Sequence, residues 1–288
     1  MTAVLKREIG SYYKSGTGWL LAAFLLIFAG IYCMSYNLSG YSAKFEYVLA
    51  SISFIYLIAV PIISMRVLAE EKRQKTDQLL YSLPMRLFGI VAGKYLGMLA
   101  VLGLPVLVMA LYPLVLSQFG TVRFASAYGA LAAFFLLGAC LLSIGLFISS
   151  VTESQAAAAV ITLVVMLLLY FMNGLSSFIS TEASASLIAL MILAVLFAVI
   201  LQLLAKNPVI SIAAAAAGCG GLYLWYAGDP DAFSGLFARI MQSISVFDRF
   251  DVFTEGVFDL TAVVYYLSII CVFLFLTLQS MEKRRWNE

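Results

Sequence analysis

The sequence predicts an all-α integral membrane protein, a polytopic helical bundle that forms a single transmembrane domain over residues 1–288. The 288-residue chain is 64% apolar with a mean hydropathy of +1.03, and only 11% of its residues are charged. A soluble domain of this size could not remove so much apolar surface from water. The apolar residues also form long continuous runs, whereas the strands of a membrane barrel alternate apolar and polar positions.

The apolar runs are long enough to cross a bilayer. A hydrocarbon core of about 30 Å requires roughly 20 helical residues. About eight runs meet this length, at residues 17–36, 47–65, 89–116, 124–149, 157–178, 186–204, 208–227 and 260–280. Only a short corner separates the runs 186–204 and 208–227, and a six-span bundle is the alternative. Either count leaves both termini on one side of the membrane.

The distribution of basic residues predicts the orientation of the bundle. In the eight-span arrangement, 13 of the 17 Lys and Arg residues lie on the side of the two termini. Cytoplasmic loops carry such an excess of basic residues. We therefore expect a multi-pass protein of the plasma (inner) membrane, surrounded by the lipid bilayer, with its N- and C-termini in the cytoplasm.

The connection 228–259 then lies outside the cytoplasm. It is rich in acidic residues, and its apolar residues Phe233, Phe237, Met241 and Ile244 recur at helical spacing. We expect an extracytoplasmic amphipathic segment in the outer interface. Its aromatic face suits an exit gate or a docking surface, and an interfacial helix with no specific partner is the alternative.

The amino-terminal residues predict an interfacial elbow helix over residues 1–16. One helical face collects the apolar residues Val4, Leu5, Ile9, Tyr12 and Tyr13, and basic residues flank it. Such a helix lies along the inner surface of the membrane. A passive anchor is an equally simple use for it.

The cytoplasmic connection 66–88 begins with charged residues and continues as an amphipathic stretch. Thr76 can cap a short helix with Leu79 and Leu80 on one face, and Pro84 ends it. A short cytoplasmic helix of this kind can fill a groove on a soluble partner. The alternative is a solvated loop whose basic residues only reflect the excess of Lys and Arg in cytoplasmic loops.

Several motifs occur in the same order as in a known family. The run Met65-Arg-Val-Leu-Ala-Glu-Glu-Lys-Arg73 is followed by Thr76, Leu79-Leu80, Pro84 and Gly93-Lys94. Lys6-Arg-Glu and Tyr12-Tyr13 precede it, and the stretches 146–156 and 255–286 follow it. Together these motifs resemble ABC-type exporter permeases of the gliding-motility (Gld) permease group.

The resemblance implies a permease whose cytoplasmic loop carries a coupling helix that docks into a separate ATPase subunit. It assigns this coupling to Glu70, Glu71, Arg73, Thr76, Leu79, Leu80 and Pro84. The turn with Glu153 and Gln155 is placed for a second contact, and a helix cap is its alternative role. The chain departs from the family pattern at Lys75, where family members usually have Gly. Family members also often have six spans rather than eight.

The resemblance also implies the rest of the assembly. We expect two copies of an ABC ATPase subunit that bind ATP and Mg, a second permease copy or paralogue, and room for an extracytoplasmic auxiliary protein. This chain itself binds no cofactor. The expected activity is export of an unidentified, amphipathic substrate.

Three glycines, Gly89, Gly93 and Gly97, recur at four-residue spacing before and after Lys94. A phosphate-binding loop needs four residues between its glycines and Ser or Thr after its lysine, whereas Tyr95 follows here. We interpret the glycines as a helix-packing face, either within one protomer or at a dimer seam.

The remaining polar residues narrow the function classes. Asn173 and Gln202 lie inside predicted spans, where they either join neighbouring helices or contact substrate. The chain has no histidine, which excludes Ser–His catalysis and His-ligated zinc. An intramembrane enzyme is therefore the less favoured alternative, and we expect neither a catalytic residue nor a metal site. It has no basic domain for nucleic acid. No ionisable residue lies at a span centre, which disfavours the alternative of an ion- or proton-coupled secondary transporter or a channel.

Overall fold

The structure is a computed structural model that describes residues 2–40, 42–74, 87–172, 174, 182–205 and 208–287. Within helices, the side chains at 196–197, 199–205, 208–211, 214 and 285–287 are outside this description. The described residues form helices and connecting turns with no strand among them, which confirms the all-α prediction for this part of the chain. They divide into two compact units, residues 1–170 with 246–288, and residues 171–245.

The described residues form fourteen α-helices. In chain order they are α1 Thr2–Lys14, α2 Thr17–Cys33, α3 Glu46–Ile52, α4 Tyr56–Ser64, α5 Ala69–Arg73, α6 Leu87–Met109, α7 Tyr112–Leu116, α8 Phe124–Val151, α9 Gln155–Tyr170, α10 Ala183–Ala205, α11 Pro208–Gly228, α12 Leu236–Ile244, α13 Asp248–Thr254 and α14 Leu260–Asn287. A π-helical turn, Met34–Ser39, extends α2.

Five helical segments among the described residues are long and apolar enough to cross a membrane. They are Thr17–Ser39, Glu46–Arg73, Leu87–Leu116, Phe124–Val151 and Leu260–Arg284. The helix α9 and the segment Ala183–Val195 are apolar but shorter. The protein is therefore multi-pass, whereas the total of eight spans stays a prediction, because the three remaining runs include residues or side chains outside the described part.

The helix α8 lies at the centre of the first unit. Its apolar window is 78% buried, against 17% for Leu260–Arg284 at the periphery. Neighbouring spans donate hydrogen bonds to its backbone, from the Tyr56 hydroxyl to the Phe134 carbonyl and from the Tyr95 hydroxyl to the Ala139 carbonyl, both at 2.9 Å. Buried tyrosines usually satisfy their hydroxyls in this way, and these bonds fix α4 and α6 against α8.

A glycine determines how closely α4 and α8 approach each other. A Cβ atom built on Gly145 of α8 would lie 2.7 Å from the Cβ and 2.5 Å from the Oγ of Ser64 in α4. Small residues at membrane helix contacts permit such close backbone approach. The contact leaves no space for even one methyl group.

The second unit has its own small apolar core. The helix α10 packs against α11 and α12. Phe233, Phe237 and Met241 are buried together with Leu187 and Leu190 of α10. In the segment 228–259 the structure describes two α-helices, α12 and α13. Phe233, Phe237 and Met241 are buried, whereas Ile244 is exposed, and the position of the segment in the outer interface stays a prediction. Periodicity identifies an apolar face but not what covers it.

Replacing Gly145 with Ala should destabilise the first unit. The new methyl group overlaps the Cβ of Ser64, which only a backbone shift can relieve, and we expect a loss of about 1–3 kcal/mol. The matched control is Gly103→Ala in α6, where the nearest atom to the new Cβ, on Phe135, is 3.8 Å away. Thermal unfolding of the purified protein in detergent measures both. Equal unfolding temperatures for the two variants would contradict the packing described.

Candidate functional site

The short helix α5 is held against the end of α8. The Ser149 Oγ accepts hydrogen bonds from the backbone N–H groups of Leu68 at 3.2 Å and Ala69 at 3.1 Å. It thereby satisfies donors that the first turn of a helix leaves unpaired. Lys72 of α5 donates to the carbonyl of Ser150. The end of the second span is thus attached to the end of α8.

A buried lysine joins α5 to two further helices. The Nζ of Lys94 in α6 lies 3.0 Å from the Oε1 of Glu8 in α1 and 2.8 Å from the Oε1 of Glu71 in α5. It also donates to the carbonyl of Val67 at 2.9 Å, which gives each of its three N–H groups an acceptor. Its side chain is 1% exposed. Arg7 adds a second cation beside Glu71.

The close packing of α1 on α6 depends on Gly97. A Cβ atom at this position would lie 2.8 Å from the Cβ of Glu8. Gly93 is buried on the same helix, whereas the Cβ position of Gly89 has no atom within 4 Å. The glycine face therefore meets α1 of the same chain at Gly97, and Gly89 takes no part in that contact.

Arg66 forms a second connection between α1 and the start of α5. Its guanidinium donates to the Ser11 Oγ at 2.9 Å, lies 3.6 Å from a Glu70 carboxylate oxygen and stacks on the Tyr12 ring at 5.2 Å. The Tyr12 hydroxyl donates to the carbonyl of Ile63. Burial raises the pKa of the Tyr12 hydroxyl far above its ordinary value, so it stays a protonated donor. The buried residues of α1 thus face protein rather than lipid.

The turn between α8 and α9 lies beside α5. A cavity of about 340 Å³ separates them, lined by Lys72, Ser150, Glu153, Lys283 and Arg284. Glu153 and Arg284 lie 3.6 Å apart across it. The Ser154 carbonyl accepts from the N–H of Ala158 at 2.9 Å, so α9 begins directly after the turn. The two segments that the sequence analysis singled out therefore meet at one end of the bundle.

The predicted coupling residues differ in what they contact. Arg73 and Glu153 are exposed, Glu70 and Gln155 are partly buried, and Glu71 takes part in the internal ion pairs. Thr76, Leu79, Leu80, Pro84 and Asn173 lie outside the described residues, as does the side chain of Gln202, a residue of α10.

Sequence reasoning missed Glu8 and Lys94 as interacting partners. It counted Lys94 among the cytoplasmic charges, although the residue lies within the span Leu87–Leu116. A cation inside an apolar run is itself a signal, because burying it requires a partner. Glu8 has a weaker signal, since it lies four residues after Val4 and four before Tyr12, both of which are buried.

These observations define a class: a multi-pass, all-helical membrane protein with an ion-paired cluster at one end of its spans. A sequence model of the family described as ABC-2 family transporter protein matches residues 2–279. The chain therefore belongs to the ABC-2 transporter family and is an ABC transporter permease, which is a membrane transport component. No curated protein matches the chain at a significant level.

Replacing Lys94 with Met should destabilise the protein strongly. The change leaves the carboxylates of Glu8 and Glu71 next to each other without the buried cation, and breaking such a pair costs about 3–5 kcal/mol. Thermal unfolding in detergent measures the loss. The control is Lys14→Met, which removes an exposed cation from α1.

A second substitution separates the ionic effect from lost packing. The double variant Lys94→Met with Glu8→Gln leaves Glu71 paired with Arg7, and we expect it to recover much of the lost stability. A double variant as unstable as Lys94→Met, or a Lys94→Met protein as stable as Lys14→Met, would contradict the role assigned to the cluster.

Proposed function

We propose that this permease couples ATP hydrolysis on two copies of a separate ABC ATPase subunit to export, and that the force enters the membrane through α5 and the residues after it. The observation that carries the proposal is the attachment of α5 to three helices. It meets α1 and α6 through Lys94, and α8 through Ser149. A displacement of α5 is therefore passed on to several spans.

The surface around α5 is suited to a contact with a soluble partner. Arg73, the last residue of α5, and the following Gln74 are exposed, and Glu153 and Ser154 are exposed on the adjacent turn. Charged groups of both signs at the edge of an interface mainly set partner choice and association rate. We propose that Glu70, Arg73, Glu153 and Gln155 contact the ATPase, and that Glu71 positions α5 from inside.

The residues after Gln74 complete the proposed contact. Thr76, Leu79, Leu80 and Pro84 form the coupling helix in this proposal, on the strength of their amphipathic pattern and of the resemblance to the gliding-motility group. We propose membership of that group within the ABC-2 family. ATP and Mg are assigned to the partner, because the chain's glycine motif does not have the spacing of a phosphate-binding loop.

The proposed assembly contains a second permease copy or paralogue in the inner membrane. Support comes from exposed apolar side chains on α9 and α14, for example Val160 at 61% and Phe275 at 58% exposure, which either lipid or another permease can cover. The proposed orientation has both termini in the cytoplasm, and the bias of basic residues towards that side supports it. An auxiliary protein outside would meet the polar side of segment 228–259, since Phe233 and Phe237 are buried.

Reversing the charge of Arg73 should weaken the functional contact with the ATPase. We expect Arg73→Glu to lower the affinity for the ATPase about tenfold, a change of about 1.4 kcal/mol, and to reduce stimulation of ATP hydrolysis in proportion. The thermal stability should stay unchanged, because the side chain is exposed. Pull-down and ATPase assays on the reconstituted complex measure both effects.

The control for this experiment is Lys14→Glu, an equal change in charge at an exposed position on α1. It should retain normal binding and stimulation. If both variants behave like the wild type, or if both fail equally, α5 is not the site of the contact.

The orientation can be tested by cysteine labelling. The native Cys33, Cys140, Cys219 and Cys271 are first replaced, and single cysteines are then introduced by Lys44→Cys or Arg73→Cys, both at exposed positions. On intact cells, a membrane-impermeant maleimide should label Lys44→Cys. The Arg73→Cys protein should react only after permeabilisation. The opposite pattern would place α5 outside the cell and rule out its contact with a cytoplasmic ATPase.

A further inference from the structure

An apolar groove lies between the first and third spans at the end opposite to α5. Gly30, Met34 and Leu38 line one wall, and Val108, Leu111 and Phe119 line the other, around a volume of about 500 Å³. This lies within the range of about 300–1,000 Å³ that is typical of small-molecule sites. Except for Phe119, these residues belong to membrane spans, so the groove is placed to take a hydrocarbon chain.

A smaller cavity with a polar residue adjoins the groove. This cavity of about 230 Å³ shares Leu38 and Phe119 with the groove and adds Asn37 and Ser42. Asn37 is 6% exposed and lies in the π-helical turn Met34–Ser39. Such turns occur frequently at functional sites.

The side chain of Asn37 has an unused acceptor. Its Nδ2 donates to the carbonyl of Ser42 at 2.7 Å, which fixes the orientation of the amide, because a carbonyl can only accept. The Oδ1 is buried and has no hydrogen-bond partner among the described residues. A buried acceptor without a donor costs about 1–3 kcal/mol. A ligand that brings a hydroxyl or an amide N–H would remove this cost.

A charged cavity follows at the end of the spans. It has a volume of about 470 Å³ and shares Ser42 and Ala43 with the cavity at Asn37. Two basic residues, Lys44 and Arg123, and two acidic residues, Glu46 and Glu255, line it. This pairing of signs complements a zwitterionic group, with a phosphate near the cations and an ammonium near the carboxylates.

We propose that the three adjacent cavities, which share lining residues, form a binding site for a single-chain amphiphile with a zwitterionic headgroup and a hydrogen-bond donor between chain and headgroup. The chain lies in the apolar groove, the donor meets the Asn37 Oδ1, and the headgroup occupies the cavity at Lys44 and Glu255. The proposal concerns binding alone and stands independently of whether this amphiphile is transported or of how the permease is driven.

Lysophosphatidylethanolamine has this combination of groups and serves as the probe. Its affinity is measured on the wild-type protein in amphipol, below the critical micelle concentration, beside an analogue that lacks the glycerol hydroxyl. We expect the analogue to bind about tenfold more weakly, as for one hydrogen bond to a buried acceptor. Equal affinities for the two ligands would overturn the role of Asn37. This comparison needs no variant and therefore does not depend on how a substitution affects folding.

Three variants test the site itself. In Asn37→Leu, the two ligands should bind with equal affinity. Leu111→Trp fills the groove and should weaken both ligands at least about tenfold. Leu20→Trp, at an exposed position of α2 away from the groove, should bind both like the wild type. Unchanged binding to Leu111→Trp, or equal losses in Leu111→Trp and Leu20→Trp, would overturn the proposed position of the chain.

The headgroup is tested with a third ligand. Lysophosphatidylglycerol keeps the chain, the glycerol hydroxyl and the phosphate but has no ammonium to meet Glu46 and Glu255. We expect it to bind at least about fivefold more weakly than lysophosphatidylethanolamine, because charge complementarity determines selectivity at such a site. An affinity equal to or higher than that of lysophosphatidylethanolamine would overturn the zwitterionic assignment.

Discussion

The ammonium group of Lys94 lies inside the helical bundle, and the arrangement at that end of the protein follows from its need for acceptors. A buried charge is tolerated only with paired charges and satisfied hydrogen bonds. Its carboxylates come from Glu8 and Glu71, which belong to α1 and α5. If either helix leaves the cluster, the buried ammonium loses one of its carboxylate acceptors. The cluster therefore acts as one unit that includes the start of α6.

This constraint changes how α5 can respond to a force. An isolated loop under the membrane would absorb a push by bending, since few contacts would resist it. Here the start of α5 is bonded to Ser149 of α8, and Glu71 is bonded to Lys94 of α6. A moderate force therefore moves the helices together, because separating them first requires breaking buried ion pairs. Discrete, tightly packed contacts of this kind pass on displacements rather than dissipating them.

Local features of the molecule could be predicted from the sequence, and contacts between distant segments could not. Hydropathy alone identified runs that correspond to the five long spans, because lipid requires about 20 consecutive apolar residues whatever the neighbours are. The partners Glu8 and Lys94 are 86 residues apart, and only packing brings them together. The helical spacing of apolar residues predicted the apolar face of α12. The residues that cover this face, Leu187 and Leu190, belong to another helix, and the spacing carries no information about them. Asn37 gave no signal, because its unused acceptor exists only after the turn has formed.

The ion-paired cluster and the apolar groove lie at opposite ends of α6. The helix α6 has Lys94 near its start and Val108 near its end, where it lines the groove. The other wall belongs to α2, which follows α1 after Gly16, a residue with a φ of 78° that glycine adopts easily. Because Glu8 of α1 pairs with Lys94, the cluster fixes α1, and with it the start of α2, against α6. Between Lys94 and Val108, α6 contains Pro105. A proline inside a helix removes a backbone hydrogen bond and favours a kink, so the course of α6 along the groove depends on Pro105 as well as on the cluster.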